Sequence, residues 1–326
     1  MRVIYSLEEL QPPPAACVLT IGNFDGVHLA HRLLLDRVVE LARGRGAVAA
    51  AITFEPHPIK FISPARAPKL LTPFERKVKL IATSGLDLLV VLPFNEELAH
   101  LSPLEFVRRI VRPLHTAVVH VGMNFHFGYR QAGDVHILEE LGRQAGFEVE
   151  VRPLLEVRGQ TVSSSRVREL LREGRVRVAQ RLLGRPFSVY GPIVAGLGVG
   201  HKHTVPTLNL APVEEQLPKT GVYVTRARVG RIFYDAVTNV GHKPTFGDNH
   251  SLVVETFLLN FAGGEIREPD MEIEFLFRLR DEIKFPNPAL LKAQIQKDAA
   301  RASRFFGLLR TFREPQARAH IPQTVA

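Results

Sequence analysis

The chain contains little or nothing of several residue types, and each shortage excludes a kind of site or a class of protein. It has no tryptophan and a single cysteine, Cys17, among 326 residues. One cysteine forms no intramolecular disulfide and supplies no cysteine-based zinc site, so we expect a reduced core thiol and a cytoplasmic protein. No apolar run approaches the about 20 residues that a membrane helix requires. Residues 8–14 are acidic and rich in proline, unlike a secretory leader, so no membrane association is expected.

The net charge of +9 suits nucleic acid, anionic surfaces or phosphate-rich small substrates. The basic residues are scattered, and in their densest stretch, 166–185, they alternate with apolar residues at helical spacing. This spacing is typical of a solvated helix face, so we expect small-molecule substrates and no nucleic-acid partner. A nucleic-acid-binding protein on a nucleotide-binding scaffold remains the alternative. The sequence leaves the oligomeric state open, a transient homo-oligomer included.

Segments in the first half alternate between two types. Apolar runs predict strands over 16–21, 47–54, 86–92 and 116–121, and amphipathic patterns predict helices over 28–43, 73–84 and 103–112. Near-continuous Val, Leu and Ile in these strands indicate burial on both faces. The pattern therefore predicts an α/β domain over 1–183 with a parallel sheet covered on both sides.

After Gly184 the sequence pattern changes to short strands separated by glycine and proline. Strands are predicted over 187–194, 221–229, 232–240, 252–261 and 271–280, and several alternate in polarity. A closing helix is predicted over 288–306, with a loose tail from 313 onward. The second domain, 184–326, is therefore expected to be an antiparallel sheet or barrel.

The first candidate site follows the first buried strand. Glycines there allow the backbone to approach a phosphate, and the free N–H groups of the next helix attract anions. His28 and His31 lie three residues apart, on one face of that helix's first turn, where two imidazoles can stabilise charge at a phosphorus. The phosphate-binding candidates in this segment are Gly22, Asn23, Phe24, Asp25 and Gly26.

Several segments resemble one family. Residues 28–31 resemble the HxGH signature of nucleotidyltransferases, with Ala30 in the place of its glycine, and 22–28, Gly-Asn-Phe-Asp-Gly-Val-His, is similar to the FAD synthetase branch. Residues 53–58, 122–128 and 162–168 also look like segments of that branch. The resemblance implies a Rossmann-like domain in which the phosphate of FMN attacks the α-phosphorus of ATP and expels pyrophosphate. It implies charge stabilisation by His28 and His31, ATP binding by Asn124, Ser163, Ser164, Ser165 and Arg166, and flavin binding by Phe54, Pro56, His57 and Pro58.

The second candidate site begins with a glycine-rich stretch containing Gly196, Gly198 and Gly200. Thr207 and Asn209 follow at alternate positions, which places their side chains on one side of an extended strand. A hydroxyl and an amide oxygen are hard ligands suited to Mg²⁺, and Asn209 is also a candidate contact to the substrate.

This stretch, with 205–209, 239–247 and 252–261, resembles the riboflavin kinase domain, in which the second element reads Pro-Thr-Ala-Asn. Leu208 replaces that alanine, and Thr204 replaces a glycine usual before the element. The resemblance implies a six-stranded Greek-key β-barrel with a closing helix. It also implies that Glu255 is the general base, taking the proton of the ribityl 5′-hydroxyl as that oxygen attacks the γ-phosphorus of ATP.

Two independent motif sets in one chain predict a bifunctional phosphorus-group transferase of the bacterial FAD synthetase family. Its substrates and products would be riboflavin, FMN and FAD, with ATP as co-substrate and Mg²⁺ as metal. An alternative keeps the fold with only one activity, since Ala30 and Thr204 depart from the family patterns.

Overall fold

The structure is a computed structural model, and it describes residues 1–10, 15–194, 207–242, 252–259, 261 and 266–318. The chain divides into two compact units. Unit 1 comprises Met1–Val167 and Leu182–Gly184, and unit 2 comprises Arg168–Arg181 and Arg185–Ala326. Each unit is built around its own sheet.

The sheet of unit 1 is parallel throughout and has six strands. Its strands are β1 (Arg2–Ile4), β2 (Cys17–Ile21), β3 (Val48–Glu55), β4 (Leu88–Pro93), β5 (Thr116–Gly122) and β6 (Glu148–Arg152). They lie in the order β1-β4-β3-β2-β5-β6. A small antiparallel pair, β7 (Glu156–Val157) and β8 (Gln160–Thr161), stands apart. The predicted parallel sheet is confirmed, and β2 lies at its centre, between β3 and β5.

Helices surround this sheet, and local signals set several of their ends. The helices are α1 (Leu29–Arg45), α2 (Pro58–Ile62), α3 (Phe74–Ala82), α4 (Glu96–Ala99), α5 (Pro103–Phe106) and α6 (Val135–Ala145). His28 caps the start of α1, and Gly46 ends it in the left-handed conformation that glycine adopts without strain. Two separate apolar clusters pack on the sheet, as expected for strands covered on both faces. Cys17 is fully buried on β2, which confirms it as a core residue.

The predicted helix over 103–112 is wrong in form. Only α5 is an α-helical turn, and Val107–Val111 is a π-helix followed by a 3₁₀ turn, Arg112–Leu114. Pro113 lies at the start of this 3₁₀ turn, where it has no N–H to donate to a continuing helix. Seven strands and α-helices in the described part of unit 1 lie outside the predicted set: β1, β6, β7, β8, α2, α4 and α6.

Unit 2 contains a closed six-stranded antiparallel barrel. Its strands are β9 (Phe187–Val194), β10 (Leu208–Leu210), β11 (Gly221–Val229), β12 (Ile232–His242), β13 (Leu252–Leu258) and β14 (Asp270–Arg280). They close in the order β10-β13-β12-β11-β14-β9, which confirms the predicted barrel. Helices α7 (Ser164–Arg172), α8 (Val176–Leu183) and α9 (Pro288–Arg318) complete the chain.

Hydroxyls and aromatic rings fill the barrel interior. Thr225, Thr238 and Thr256 are fully buried on three neighbouring strands. The Oγ1 of Thr238 lies 2.7 Å from that of Thr225 and 2.9 Å from that of Thr256. Their shared hydrogen bonds satisfy hydroxyls that water does not reach. Tyr223 and Phe275 pack edge to face beside them.

Helix α9 closes one outer face of the barrel. Its Ala302 and Phe306 are buried against Val222, Val224 and Val237. The helix runs on to Arg318, so the predicted loose tail is wrong for residues 313–318. Residues beyond Phe306 still contact the barrel, because Leu309 packs on the same apolar cluster and Arg310 donates to Asp235 at 2.8 Å.

Candidate active sites

The segment after β2 forms a tight, strained turn. Phe24 and Val27 have positive φ angles of 50° and 38°, and Gly26 lies between them at 81°. A β-branched residue such as Val27 rarely adopts this region, and such strain of order 1–3 kcal/mol persists only where surrounding contacts hold it. Asp25, which is 4% exposed, provides one such contact, because its carboxylate accepts the N–H of Leu71 at 2.9 and 3.1 Å.

The two predicted histidines lie against each other at the start of α1. Their ring centroids are 3.6 Å apart and the planes are tilted by 15°. The Nδ1 of His28 accepts the backbone N–H of His31 at 3.3 Å. An accepting Nδ1 carries no proton, so neutral His28 has its proton on Nε2 and donates from there. A fixed Nε2–H donor at a helix N-terminus is suited to a phosphate oxygen.

The serine-rich segment meets this turn in space. The Oγ of Ser164 donates a hydrogen bond of 2.8 Å to the backbone carbonyl of Asp25. Ser163 Oγ accepts the N–H of Arg166 at 3.2 Å, and Arg166 Nε donates to Gln160 Oε1 at 2.9 Å. Ser165 is exposed. Thus 139 residues of chain separate two segments that share a hydrogen bond.

A buried lysine that no sequence motif indicates lies beside the same turn. Lys77 on α3 is 6% exposed, and its Nζ lies 3.5 Å from the carbonyl oxygen of Asn23. It is also 3.4 Å from Thr53 Oγ1 and 3.4 Å from the carbonyl oxygen of Phe54. Burial lowers the pKa of Lys77, and the nearby Glu55 carboxylate at 3.9 Å opposes that effect. Lys77 therefore links the turn after β2 to the end of β3.

The predicted flavin residues lie at the carboxyl end of β3. Phe54 is half-buried and packs edge to face with Phe94 at 5.8 Å, and Phe61 of α2 packs on Phe94 at 5.9 Å. Phe61 and Phe94 are additions to the predicted set, and together the three rings form an aromatic wall. Ligands bind at this edge of a parallel sheet, so such a wall suits a planar ring system.

The other members of the 53–58 motif shape the start of α2. His57 caps that helix by accepting the N–H of Ile59 on its Nδ1 at 3.3 Å. Pro58 is the first residue of the helix, a favoured proline position. Pro56 is exposed.

Asn124 follows β5, which pairs with β2 on the side opposite to β3. Its side chain is exposed, and its Oδ1 lies 3.2 Å from the position that a Cβ would occupy on Gly122. The side chain therefore folds back over the end of β5, and Gly122 leaves room for it. Its backbone oxygen lies 3.0 Å from His126 Nδ1.

In unit 2, strand register aligns three polar residues. Glu255 on β13 is directly opposite Asn209 on β10 and Asn239 on β12. Opposite residues of antiparallel strands project from the same face, so a carboxylate stands between two amides on the outer face of the barrel. Asn209 is 8% exposed, and Glu255 and Thr207 are exposed. We name Asn209, Glu255 and Asn239 the polar row.

Asn239 and Glu282 were absent from the predicted site set. A Cβ on Gly241 would lie 2.2 Å from Glu282 Oε1 and 3.0 Å from Asn239 Nδ2. Both side chains therefore crowd Gly241, which brings a second carboxylate to the end of the polar row. Strand pairing could have indicated Asn239 as a site residue. Glu282 gives no such signal, because it follows β14 and is far from Glu255 in the sequence.

Some predicted residues cannot be placed. Gly196, Gly198, Gly200 and Thr204 lie outside the described residues. Within the described part of the chain, no group of three His, Cys, Asp or Glu side chains is arranged to hold a metal ion. Nor does any described helix have the length and apolar character needed to cross a membrane.

Comparisons with known proteins agree with both sets of segments. A family model described as FAD synthetase matches residues 10–166, and one described as riboflavin kinase matches 183–306. A bifunctional riboflavin kinase/FMN adenylyltransferase from Pseudomonas fluorescens is 36% identical, covering 93% of this chain and 97% of that protein. The protein of that name from Escherichia coli strain K12 is 32% identical, covering 94% and 99%.

A solved structure has a similar fold. A chain titled as a macrolide-efflux protein from Streptococcus pneumoniae superposes with a TM-score of 0.83 at 25% identity. The match covers 93% of this chain and 98% of that one. Efflux is not a function of any relative described above, so this likeness supports the fold alone.

Proposed function

Because the chain belongs to the family of bifunctional riboflavin kinases/FMN adenylyltransferases, we propose that its two activities reside in separate domains. The protein phosphorylates riboflavin to FMN and adenylylates FMN to FAD. We assign adenylylation to residues 1–183 and phosphorylation to residues 184–326. The hydrogen bond between Ser164 and the carbonyl of Asp25 carries the first assignment, because it joins two segments of one predicted nucleotide site.

In adenylylation, a phosphate oxygen of FMN attacks the α-phosphorus of ATP, and the bond to the β-phosphate breaks to release pyrophosphate. The attacking phosphate is already ionised near neutral pH, so no general base is required. The residues of this chain act by positioning and by stabilising charge. His28 donates from Nε2, and His31, stacked on it, lies on the same face of the first turn of α1. Arg166 adds a guanidinium near the serine segment.

The flavin of FMN would lie at the aromatic wall of Phe54, Phe61 and Phe94. This wall follows β3 and β4, and the turn that contains His28 follows β2, the neighbouring strand. A flavin ring at the wall would therefore direct its phosphate along the same edge of the sheet, toward the histidines.

In phosphorylation, Glu255 takes the proton from the 5′-hydroxyl of riboflavin. The hydroxyl oxygen then bonds to the γ-phosphorus of ATP, and ADP leaves. Asn209 and Asn239 flank Glu255 through strand register and would hold the substrate beside the carboxylate. Substrate orientation is the main contribution of such flanking amides.

The residues present fit a magnesium ion in the kinase site. Thr207 and Asn209 offer a hydroxyl and an amide oxygen at alternate positions, and Mg²⁺ completes its shell with water and substrate phosphates. When bound, the ion would neutralise charge on the phosphates of ATP.

The remaining assignments concern location and partners. We place the protein in the cytoplasm, with small molecules as its ligands and no nucleic-acid or membrane partner. The scattered basic residues and the single buried cysteine support this placement. Nucleic-acid binding at low salt, measured by gel shift, would contradict it.

The test is chromatography of products after incubation with riboflavin, ATP and Mg²⁺, in the parent protein and two variants. In the parent, FMN accumulates and then gives way to FAD. Glu255→Gln should lose FMN formation while converting supplied FMN to FAD. His28→Ala should form FMN and stop there. If either variant loses both activities while folded, the assignment of separate sites is wrong.

A further inference from the structure

A cavity of about 320 Å³ lies on the outer face of the barrel, away from the polar row. Helix α8, helix α9 and strands β11, β12 and β14 contribute its walls, all within unit 2. Asp235, on its wall, precedes Asn239 by four residues of β12, roughly 13 Å along an extended strand. None of the three residues of the polar row lines it.

The floor of the cavity is aromatic and aliphatic. Phe305, Phe306 and Leu309 of α9 meet Leu276 of β14 there. Phe305 also stacks on Phe277, with centroids 6.0 Å apart and planes 18° from parallel. Flat apolar surfaces of this kind accept a planar ring.

One wall carries a guanidinium and an amide that are available to bind a ligand. Arg177 and Gln180 lie three residues apart on α8, hence on one face of that helix, and both line the cavity. Arg177 lies 5.9 Å from the centroid of Phe277 and makes no ion pair with a residue that the structure describes. The side chain of Gln180 has no hydrogen bond to the described part of the chain. A guanidinium and an amide thus face the cavity together.

The opposite wall is cationic but compensated. Arg310 donates to Asp235 at 2.8 Å, and Arg226 donates to Glu274 at 2.6 Å. The lining has three arginines, and Asp235 and Glu274 neutralise two of them, so Arg177 leaves one positive charge that favours an anion. Arginine is well suited to phosphate because its N–H groups can donate two parallel hydrogen bonds.

We propose that this cavity binds a phosphorylated planar aromatic molecule of mononucleotide size, with the ring on Phe305 and the phosphate at Arg177 and Gln180. Its volume is at the lower end of the roughly 300–1,000 Å³ typical of ligand pockets, which favours a mononucleotide over a dinucleotide. FMN and adenine mononucleotides share this chemistry. No residue proposed above for either catalytic site lines the cavity.

The test is equilibrium dialysis of the full-length protein against FMN, AMP and inorganic phosphate. Arg177→Glu reverses the unpaired charge, and Arg181→Glu makes the same change on the same helix at a residue that does not line the cavity. One class of binding sites in the parent protein, the cavity, should bind its ligand roughly tenfold or more weakly in Arg177→Glu, as expected for a lost charge-assisted phosphate contact. Arg181→Glu should keep that class.

A second variant distinguishes a loss of binding from a loss of folding. Gln180→Trp fills the cavity without changing charge and supplies the only tryptophan of the chain, whose emission reports folding. It should lose the same binding class. A loss of FMN binding alone assigns the site to flavin, and a loss of AMP binding alone assigns it to adenine nucleotides. Binding that is equal in the parent protein and all variants, or loss of inorganic phosphate alone, overturns the proposal.

Discussion

Lys77 provides the sharpest test of how the proposed adenylylation site is held in place. Its Nζ lies 3.4–3.5 Å from three oxygens, which belong to Asn23, Thr53 and Phe54. Lys77→Met keeps a chain of similar length and removes the donors. Two terms then oppose each other in the free energy of unfolding: long hydrogen bonds are lost, and the desolvation cost of a buried ammonium disappears. We expect these terms to offset to within about 1 kcal/mol.

Activity should respond more strongly than stability. Without Lys77, the carbonyls of Asn23 and Phe54 lose a common anchor, and the turn that contains the nucleotide-binding residues moves relative to β3. A misplacement of about 1 Å costs roughly 100-fold, so we expect the kcat of FMN adenylylation to fall by about 10- to 100-fold. Riboflavin phosphorylation should not change. Lys79→Met is the matched control, because Lys79 is exposed on the same helix.

The lowered pKa of Lys77 adds a signature in stability. Between that pKa and the ordinary value of 10.5, the unfolded chain holds a proton that the native protein has released. Stability of the parent relative to Lys77→Met therefore rises with pH across this window and falls as the pH decreases through it. Denaturant unfolding at several alkaline pH values measures this difference. Equal adenylylation rates in Lys77→Met and Lys79→Met would refute the positioning role, and a parallel loss of kinase activity would indicate general damage.

Two further predictions concern the two cores. Burial lowers the pKa of His120 below 6.5. As the pH falls from 6.5, the unfolded chain is therefore protonated before the native protein, and the free energy of unfolding decreases. Melting curves should show less acid sensitivity in His120→Leu than in the control His136→Leu, which changes an exposed histidine. In the barrel, Thr238→Val deprives Thr225 and Thr256 of their shared hydroxyl partner, at about 1–3 kcal/mol for each. Replacing all three threonines by valine should cost less than Thr238→Val alone in urea unfolding, and a larger cost would contradict this view of the hydroxyl chain.

Elements with strong local signals were predicted closely. The barrel strands at 187–194 and 221–229 have the predicted bounds, because glycine and proline punctuate a clear change of pattern. Elements with mixed signals were missed. Strand β6, Glu-Val-Glu-Val-Arg, is a half-buried edge strand in which charge dilutes the apolar pattern. Helix α6 has a capping Asp134 and a terminal Gly146, so its signals were present but unused.

The candidate sites divide in the same way. Motif residues such as His28 and Ser164 were identified from resemblance. Their convergence could not be derived from the sheet edge, because Ser164 begins α7 after the separate antiparallel pair β7 and β8. Lys77 could not be identified, because one lysine in an amphipathic helix has the same local pattern whether it is solvated or buried. Phe61 and Phe94 were also missed, since each joins the aromatic wall only through tertiary packing.

The two sites depend on different structural features, and this difference governs which substitutions damage each. The proposed adenylylation site is joined by contacts between segments far apart in the chain, such as Ser164 to Asp25, so a single lost contact can displace it while the sheet persists. The polar row of the proposed kinase site is instead a consequence of register. Glu255 points outward because its neighbour Thr256 points inward to the hydroxyl chain, and a slip of one residue in β13 would exchange their faces. Buried threonines that touch no substrate therefore fix the position of Glu255, and their loss should reduce FMN formation before it reduces FAD formation.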